Sequence, residues 1–525
     1  MKQHILKCAA LAMALCMMVS VAAGCGGNPD EADSSNKTTA TTTAASDEQK
    51  DNTSETESSK TQSSKTKATK ASKTKSSKTQ SGKTQSKDND SNVVLKGLPT
   101  DLKGATIKIA GMTTCYWGKK ANAKSEWDRQ IYKELQTVKK NLNCKFSFSS
   151  YDSKGLTEQC IKADKAGAKF ADLMVTTLWQ QQSLIAAKAI QDLNAIEHLD
   201  LTKGYWDQAS HREAQLYGKN FIAYTSLDGT GANANVIYFN KTLLKQAGSS
   251  DTKLYKMVTD GTWTFDAMRK LSKAVTKDID GKSGMTSNDQ WGFTGVDIRG
   301  GVSYSIFKAQ GGYFTKTNSS GDITYALGDA KNIAALQQMQ TWLLQDTSVY
   351  NADKGKNDHE IGVTMFNAGR VLFLGWSADA ATNFTKMKND WGIVPYPKAE
   401  KNGKYVSVIS WNTQGFSVPR KVKGTNLQNV AAVMDATARQ LDKIRSNKEA
   451  YMAKYVYRDS QTQKMLNIAE ESASIDLCQF ADLGSGGLTT IHYLFDNISN
   501  KPATRVKSVQ EEATSKLNAF LKQVK

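Results

Sequence analysis

Thr106-Ile107-Lys108-Ile109-Ala110 reads as a short strand, and the seventy residues after it decide the fold. Across Ser125–Asn143, the residues Trp127, Ile131, Leu135, Val138 and Leu142 recur at three- and four-residue steps, which marks one face of a helix. Cys144, Phe146 and Phe148 then alternate with Lys145, Ser147 and Ser149, the period of a strand. A second helix is expected near Leu156–Gly167, leading into Asp172-Leu173-Met174-Val175, whose apolar run suits a buried strand. Strand, helix, strand, helix, strand predicts an α/β fold built on a parallel sheet with right-handed crossovers. Ligands of such sheets bind outside the carboxyl ends of the strands. The loops after Ala110 and after Val175, which hold Tyr116-Trp117 and Thr177-Leu178-Trp179, are therefore candidate binding segments.

Upstream of this region the chain has a different character. Met1–Lys7 is short and basic, Cys8–Val21 is an apolar run too short to span a bilayer comfortably, and Val21-Ala22-Ala23-Gly24 places small residues before Cys25. That pattern is an export signal with a cleavage site. It resembles a bacterial lipobox, although Ala22 stands where such motifs prefer Leu. The expectation is a signal peptide over 1–24 and a mature chain beginning at a lipidated Cys25. Two acyl chains on that cysteine give stable membrane anchoring where one gives only marginal binding.

Residues 25–95 are expected to form a disordered tether. Ser, Thr, Lys, Asp, Glu and Ala dominate, and Ser59-Lys60-Thr61-Gln62, Ser72-Lys73-Thr74-Lys75 and Ser77-Lys78-Thr79-Gln80 form a slipping repeat. Such composition cannot bury enough apolar surface to offset chain entropy. A flexible coil of that length averages roughly 45 Å end to end and reaches about 230–250 Å when stretched. The Lys-rich half has no Arg and no interleaved aromatic residue for stacking, so no nucleic-acid role is expected. The chain carries a formal net charge of +18. The tether nearly cancels, and most of the excess lies in the body, which from Lys96 onward holds 56 Lys+Arg against 41 Asp+Glu. A basic body either favours anionic ligands and envelopes or is simply a solvated surface.

The body, residues 96–525, is long enough for two domains. It contains no second apolar stretch of membrane-spanning length. Cys115, Cys144, Cys160 and Cys478 remain outside the export segment, and an exported protein permits disulfides. Cys115 follows one strand and Cys144 begins the next parallel one, so that pair should lie at opposite ends of the sheet. Unpaired buried thiols and another bridge stay open.

Several body segments resemble the extracellular solute-binding proteins of ABC importers, the family that includes maltose- and oligosaccharide-binding proteins. They are Ala171-Asp172-Leu173-Met174-Val175, Gln191-Asp192-Leu193, Val236-Ile237-Tyr238-Phe239-Asn240-Lys241-Thr242-Leu243-Leu244 with Ala247-Gly248, Gly261-Thr262-Trp263-Thr264-Phe265-Asp266, and Asp390-Trp391-Gly392-Ile393-Val394-Pro395-Tyr396-Pro397. They occur in the family's order over about 104–440, and the C-terminal part matches loosely. The resemblance implies a two-lobe periplasmic-binding-protein-like fold of type II, hinge-bending, with the ligand cleft between lobes. Lobe 1 would hold about 104–233 and 412–445, lobe 2 about 234–411 and 446–525. The chain would cross near Asn233–Tyr238 and near Val406–Ser417.

Sugars present apolar C–H faces and polar rims, so a cleft for them needs aromatic platforms and hydrogen-bonding edges. Among the chain's ten Trp, the resemblance singles out Trp376 in Gly369-Arg370-Val371-Leu372-Phe373-Leu374-Gly375-Trp376-Ser377, with Ser377 beside it at a strand end. Trp411 lies at the second expected crossing. Trp179, Thr177, Trp117 and Tyr116 belong to the two loops named above. Asp228, just before the first crossing, is either an acceptor for ligand hydroxyls or a turn former. Asp379 is either a ligand group or a helix-terminal charge. Trp263, Trp291 and Trp391 read as core.

Chemistry is weakly represented. Gly375-Trp376-Ser377-Ala378-Asp379 has Asp where a hydrolase elbow needs Gly, and His198, His211, His359 and His492 are isolated. No phosphate loop or dinucleotide fingerprint is present. Asp278-Ile279-Asp280-Gly281-Lys282-Ser283 with Asp289 looks like a calcium loop, but Lys282 occupies a ligand position and Ser283 stands where Gly belongs, so a surface turn is expected. The sequence therefore points to a monomeric, non-enzymatic binding protein without cofactor or metal. It would be lipid-anchored on the extracellular face of the cytoplasmic membrane and would capture a small-molecule solute, in first place an oligosaccharide, for the transmembrane subunits of an ABC permease. The alternatives are an anionic sugar or a peptide as ligand, or a surface glycan-adhesion or sensing role on the same fold.

Overall fold

The computed structural model describes residues 93–112, 126–229, 233–351 and 359–525. Cys25, residues 26–92 of the expected tether, Cys115, Tyr116 and Trp117 lie outside the described residues. The expectation of a tether reaching residue 95 is corrected: Val94 is buried in the first-lobe core and the Leu95 amide donates to the Asp435 carboxylate at 3.0 Å, so the apolar Val93-Val94-Leu95 run already belongs to the folded body.

The first sheet is built from β1 (Thr106–Met112), β2 (Lys145–Tyr151) and β3 (Leu173–Thr177), connected through helices α1 (Glu126–Asn141) and α2 (Ser153–Lys165). β1 pairs in parallel with both β2 and β3, as the alternation of elements predicts. β3 is buried along its whole length and reads accordingly as one apolar run. β2 lies at the sheet edge, so Phe146 and Phe148 are only half-buried and their polar neighbours are exposed. The α2 start is fixed by Asp152, whose carboxylate accepts from the Gly155 amide at 2.6 Å. A strand from far downstream, β11 (Gln414–Ser417), closes the sheet antiparallel to β3 and gives the order β11-β3-β1-β2. The long helix α6 (Gly424–Tyr451) comes after β11 and buries Val430, Val433, Met434 and Leu441 in one cluster with Ile131, Leu135 and Val138 of α1.

The second sheet is built from β4 (Asn235–Asn240), β5 (Trp291–Gly295), β8 (Val371–Ser377) and β9 (Trp391–Val394), in the order β5-β8-β4-β9. β5 and β8 are parallel, and β4 runs antiparallel to β8 and β9. A hairpin of β6 (Thr315–Thr317) and β7 (Ile323–Tyr325) stands apart from it. The Tyr-Phe-Asn-Lys run has a local reason: Asn240 ends β4 and its side-chain oxygen accepts from the Thr242 and Leu243 amides at the start of α3 (Lys241–Gln246). Thr264 caps α4 (Phe265–Val275) in the same way. Trp263 and Trp391 are fully buried and Trp291 nearly so, as read from the sequence. The Trp263 indole N–H donates to the Pro395 carbonyl at 2.9 Å, which satisfies its one polar atom.

These are two α/β lobes, and the chain passes between them where Ala234 bridges Ile409 antiparallel and the Ser410 amide donates to the Asn233 carbonyl at 3.1 Å. Beside that junction β10 (Ser407–Val408) pairs in parallel with β12 (Ala473–Ser474). The Gln479 side-chain amide donates to the Ile409 carbonyl at 2.8 Å. Helix α5 (Ser303–Ala309) packs on the same side, with Tyr304 fully buried. α6 passes directly into a tight turn at Met452–Val456, whose Met452 and Val456 are buried with Phe384 and Trp391 of the second lobe. The last helix, α7 (Pro502–Val524), ends against the first lobe, where the Lys219 ammonium donates to the Val524 carbonyl at 2.5 Å.

Cys144, Cys160 and Cys478 are buried free thiols. Burial pushes Cys144 up to about 11 and Cys160 up to about 12, so neither is a reactive thiolate. No helix among the described residues is long and apolar enough to cross a membrane.

Candidate functional site

β3 runs parallel to β1 and β2, so Thr177 at its carboxyl end lies on the edge where sheets of this kind bind their ligands. Thr177 is buried, pairs with Gln414 of β11, and its amide donates to the Gln180 side chain at 2.9 Å. The single 3-10 turn after it carries Trp179 and is tied along the second crossing segment. Leu178 donates to the Thr413 carbonyl at 3.2 Å, and Trp179 donates to the Trp411 carbonyl at 3.3 Å. Both tryptophans are half-buried. The Trp411 ring lies 6.4 Å from that of Tyr304, tilted by 33°. Tyr304 is a residue the sequence reading passed over, because nothing local to it signals that a strand junction distant in sequence packs there.

From the second lobe, β8 delivers Trp376 and Ser377. Trp376 pairs across the sheet with Val236 and Ser377 with Asn235, so both sit where β4 leaves the interlobe junction. The Ala378 amide donates to the Ala234 carbonyl at 2.9 Å, one residue from the crossing. The Trp376 ring is half-buried, with its edge against Phe384 at 6.1 Å. Behind the turn, the buried Tyr238 hydroxyl donates to the Ser377 carbonyl at 2.8 Å and holds the strand end in place. The Ser377 hydroxyl donates to the exposed Asp379 carboxylate.

Asp228 is partly buried in the turn before the first crossing. Its backbone carbonyl accepts from Asn233 Nδ2 at 2.7 Å, a turn-forming bond, and its carboxylate takes a long one, 3.4 Å, from Thr225 Oγ1. Burial raises its pKa, opposed by the Lys448 ammonium on α6. The sequence reading also missed the α6 end that faces this turn. Ser226 Oγ donates to Asp442 at 2.7 Å, and Arg445 bridges Asp442 and Glu449 at 3.2 and 2.6 Å. These charges belong to a helix some two hundred residues downstream, so no spacing rule could have joined them to Asp228.

The structure thus brings Thr177, Trp179 and Trp411 together along one edge, and Trp376, Ser377 and Asp379 at the strand end adjoining the same crossing. Asp228 lies at the far end of the turn leading into it. The carboxylates of Asp278, Asp280 and Asp289 converge elsewhere, within 4.8 Å of one another. Asp289 is fully buried and already accepts from the Ile279, Asp280 and Thr286 amides, which lower its pKa to about 2. The Lys282 ammonium sits 3.6 Å from Asp280. That arrangement organises a turn.

Residues 121–424 match the family model described as bacterial extracellular solute-binding protein. Among solved structures, a cyclo/maltodextrin-binding protein complexed with maltotetraose superposes with a TM-score of 0.54 at 13% identity, over 78% of this chain and 97% of that one. The Thermus thermophilus maltotriose binding protein bound with maltotriose gives 0.51 at 13% identity, over 78% and 100%. UgpB from Mycobacterium tuberculosis, in complex with glycerophosphocholine, gives 0.52 at 14% identity, over 80% and 99%. At such identities the likeness is one of fold, and these three folds hold different ligands. No curated protein sequence matches this chain.

Proposed function

Because the chain belongs to the bacterial extracellular solute-binding protein family, we propose that it captures a neutral oligosaccharide between its lobes and hands it to the transmembrane subunits of an ABC permease. The observation that carries the ligand class is the set of three half-buried tryptophans around one crossing: Trp179 and Trp411 bonded backbone to backbone, and Trp376 on the strand end beside Ala234. Flat aromatic faces with hydroxyl, amide and carboxylate groups at their edges suit a polyhydroxylated ring. Asp379 is exposed at this edge, which disfavours a uronide despite the basic body. Lobe closure about the paired segments at Asn233–Ala234 and Ile409–Ser410 would bury the solute and present one closed form to the permease.

On this reading the protein works as a monomer at the extracellular face of the cytoplasmic membrane. A diacylated Cys25 anchors it, and the tether that follows, up to the folded residues from Val93 on, lets the body stand off the surface. The export pattern and tether composition support this. A second reading, an anionic sugar or peptide ligand, rests on the excess of 56 Lys+Arg over 41 Asp+Glu from Lys96 onward.

A thermal-shift screen against neutral glycans, uronides and short peptides tests the proposal. Ligand at about 100 times its dissociation constant adds roughly 2.7 kcal/mol of stability. A shift with one neutral glycan class supports it. Shifts with uronides or peptides alone, weakened by salt, would replace the neutral sugar with the second reading.

A further inference from the structure

Three aromatic rings outside the tryptophan set form a continuous row. Trp127, in the first turn of α1, meets Tyr451, the last residue of α6, at 5.4 Å and 80°. Tyr451 in turn meets Tyr455 at 4.9 Å and 46°. Trp127 packs against the first-lobe core, whereas Tyr451 is 45% exposed and Tyr455 60%, so the row leads from the core to open surface. The Lys454 ammonium lies 4.9 Å from the Tyr455 ring centre.

Topology places the row. α1 connects two parallel strands and starts near their carboxyl ends, which is the ligand edge. β11 runs the opposite way to β3, so α6 starts at the far edge and ends, at Tyr451, on the ligand edge. Directly after Tyr451 the chain enters the turn whose Met452 and Val456 are buried in one cluster with Phe384, the residue whose ring meets Trp376. The row therefore runs from the ligand edge of the first lobe toward the Trp376 turn of the second.

We propose that Trp127, Tyr451 and Tyr455 form an outer platform on which a long saccharide chain stacks beyond the sugar units held at Trp376 and Trp411. The proposal rests on the carbohydrate reading above and narrows it to chains longer than the central site alone holds. Successive rings stand about as far apart as successive units of a pyranoside chain. Each offers a face or edge to C–H groups, while the Lys454 ammonium and the tyrosine hydroxyls supply hydrogen-bond donors.

The test is titration calorimetry of the whole chain with linear neutral α-1,4 and β-1,4 glucan ladders, disaccharide to heptasaccharide. The expected result is affinity that rises with length. Tyr455→Ala should remove about three- to tenfold of that gain while leaving the shortest binding sugar unaffected. Tyr455→Phe, which keeps the ring, should retain the gain. Trp376→Ala, by contrast, should weaken every length. Length-independent affinity, or a Tyr455→Ala variant that keeps the full gain, overturns the platform and leaves the carbohydrate reading standing. A wild-type chain that binds no member of either ladder, yet shifts with uronides or peptides, overturns both.

Discussion

The backbone amide of Trp179 donates to the carbonyl of Trp411 at 3.3 Å, so two tryptophans from distant parts of the chain are locked side by side at the passage between the lobes. Any movement of one lobe against the other must leave this pair in register or break the bond. On the proposed function, this pair would be the floor against which Trp376 closes.

Removing one of these rings should cost binding and little stability. Trp179→Ala, Trp411→Ala and Trp376→Ala are each expected to weaken glycan binding by about tenfold or more, from roughly 1.5–3 kcal/mol of lost ring burial. All three rings are half-buried in the free protein, so the melting temperature should fall only slightly. Calorimetric titration beside thermal unfolding separates the two quantities, and unchanged affinity in all three variants would remove them from the site.

Trp263 should behave in the opposite way. It is fully buried and its indole N–H is bonded to Pro395. Trp263→Ala leaves a cavity and an orphaned carbonyl, with an expected loss of about 3–5 kcal/mol. Urea unfolding would show this as a lower midpoint at unchanged slope.

The ion pair beside the lobe junction should be intolerant of half-removal. Lys308 and Asp476 meet at 3.0 Å with side chains 9% and 4% exposed, and Asp476 also accepts from the Phe314 and Cys478 amides. Asp476→Ala strands a buried ammonium and is expected to cost about 3–5 kcal/mol. Adding Lys308→Met should recover part of it, because the uncompensated charge is then gone. A double variant no more stable than the single one would show that the amide bonds, not the ion pair, carry the effect.

Acid should destabilise the body through its buried histidine. Burial depresses His211 from 6.5 to about 4, and its Nε2 accepts from the Tyr224 amide at 2.8 Å, which needs the neutral ring. The unfolded chain takes up a proton below 6.5 while the folded chain resists until about 4. Stability from this group is therefore complete above 6.5 and declines as pH falls to 4, by a total on the order of 3 kcal/mol. His492, lowered to about 4 for the same first reason, adds in the same direction. Unfolding free energies measured across that window should fall with acid, and more gently in His211→Gln.

Calcium should leave the melting temperature unchanged, since both Asp289 oxygens are already engaged by backbone amides and Lys282 stands beside Asp280. Asp289→Ala should lower it equally with calcium or chelator present. A calcium-dependent rise in the wild type would refute the structural role assigned to this turn.

The sequence itself carried the helical face of α1, the buried run of β3 and the caps at Asn240 and Thr264, because each is written within a few residues by periodicity or a capping side chain. The burial of Trp263 and Trp391 was legible on the same local terms, with family resemblance helping. Only the tertiary structure decided that β11 closes the first sheet beside β3, that Tyr304 packs at Trp411, and that α6 turns its last residue onto Trp127. Periodicity reports that a face is covered, not which remote segment covers it. That choice is made by the summed burial of many side chains across the molecule, and the proposed ligand edge is assembled from such choices.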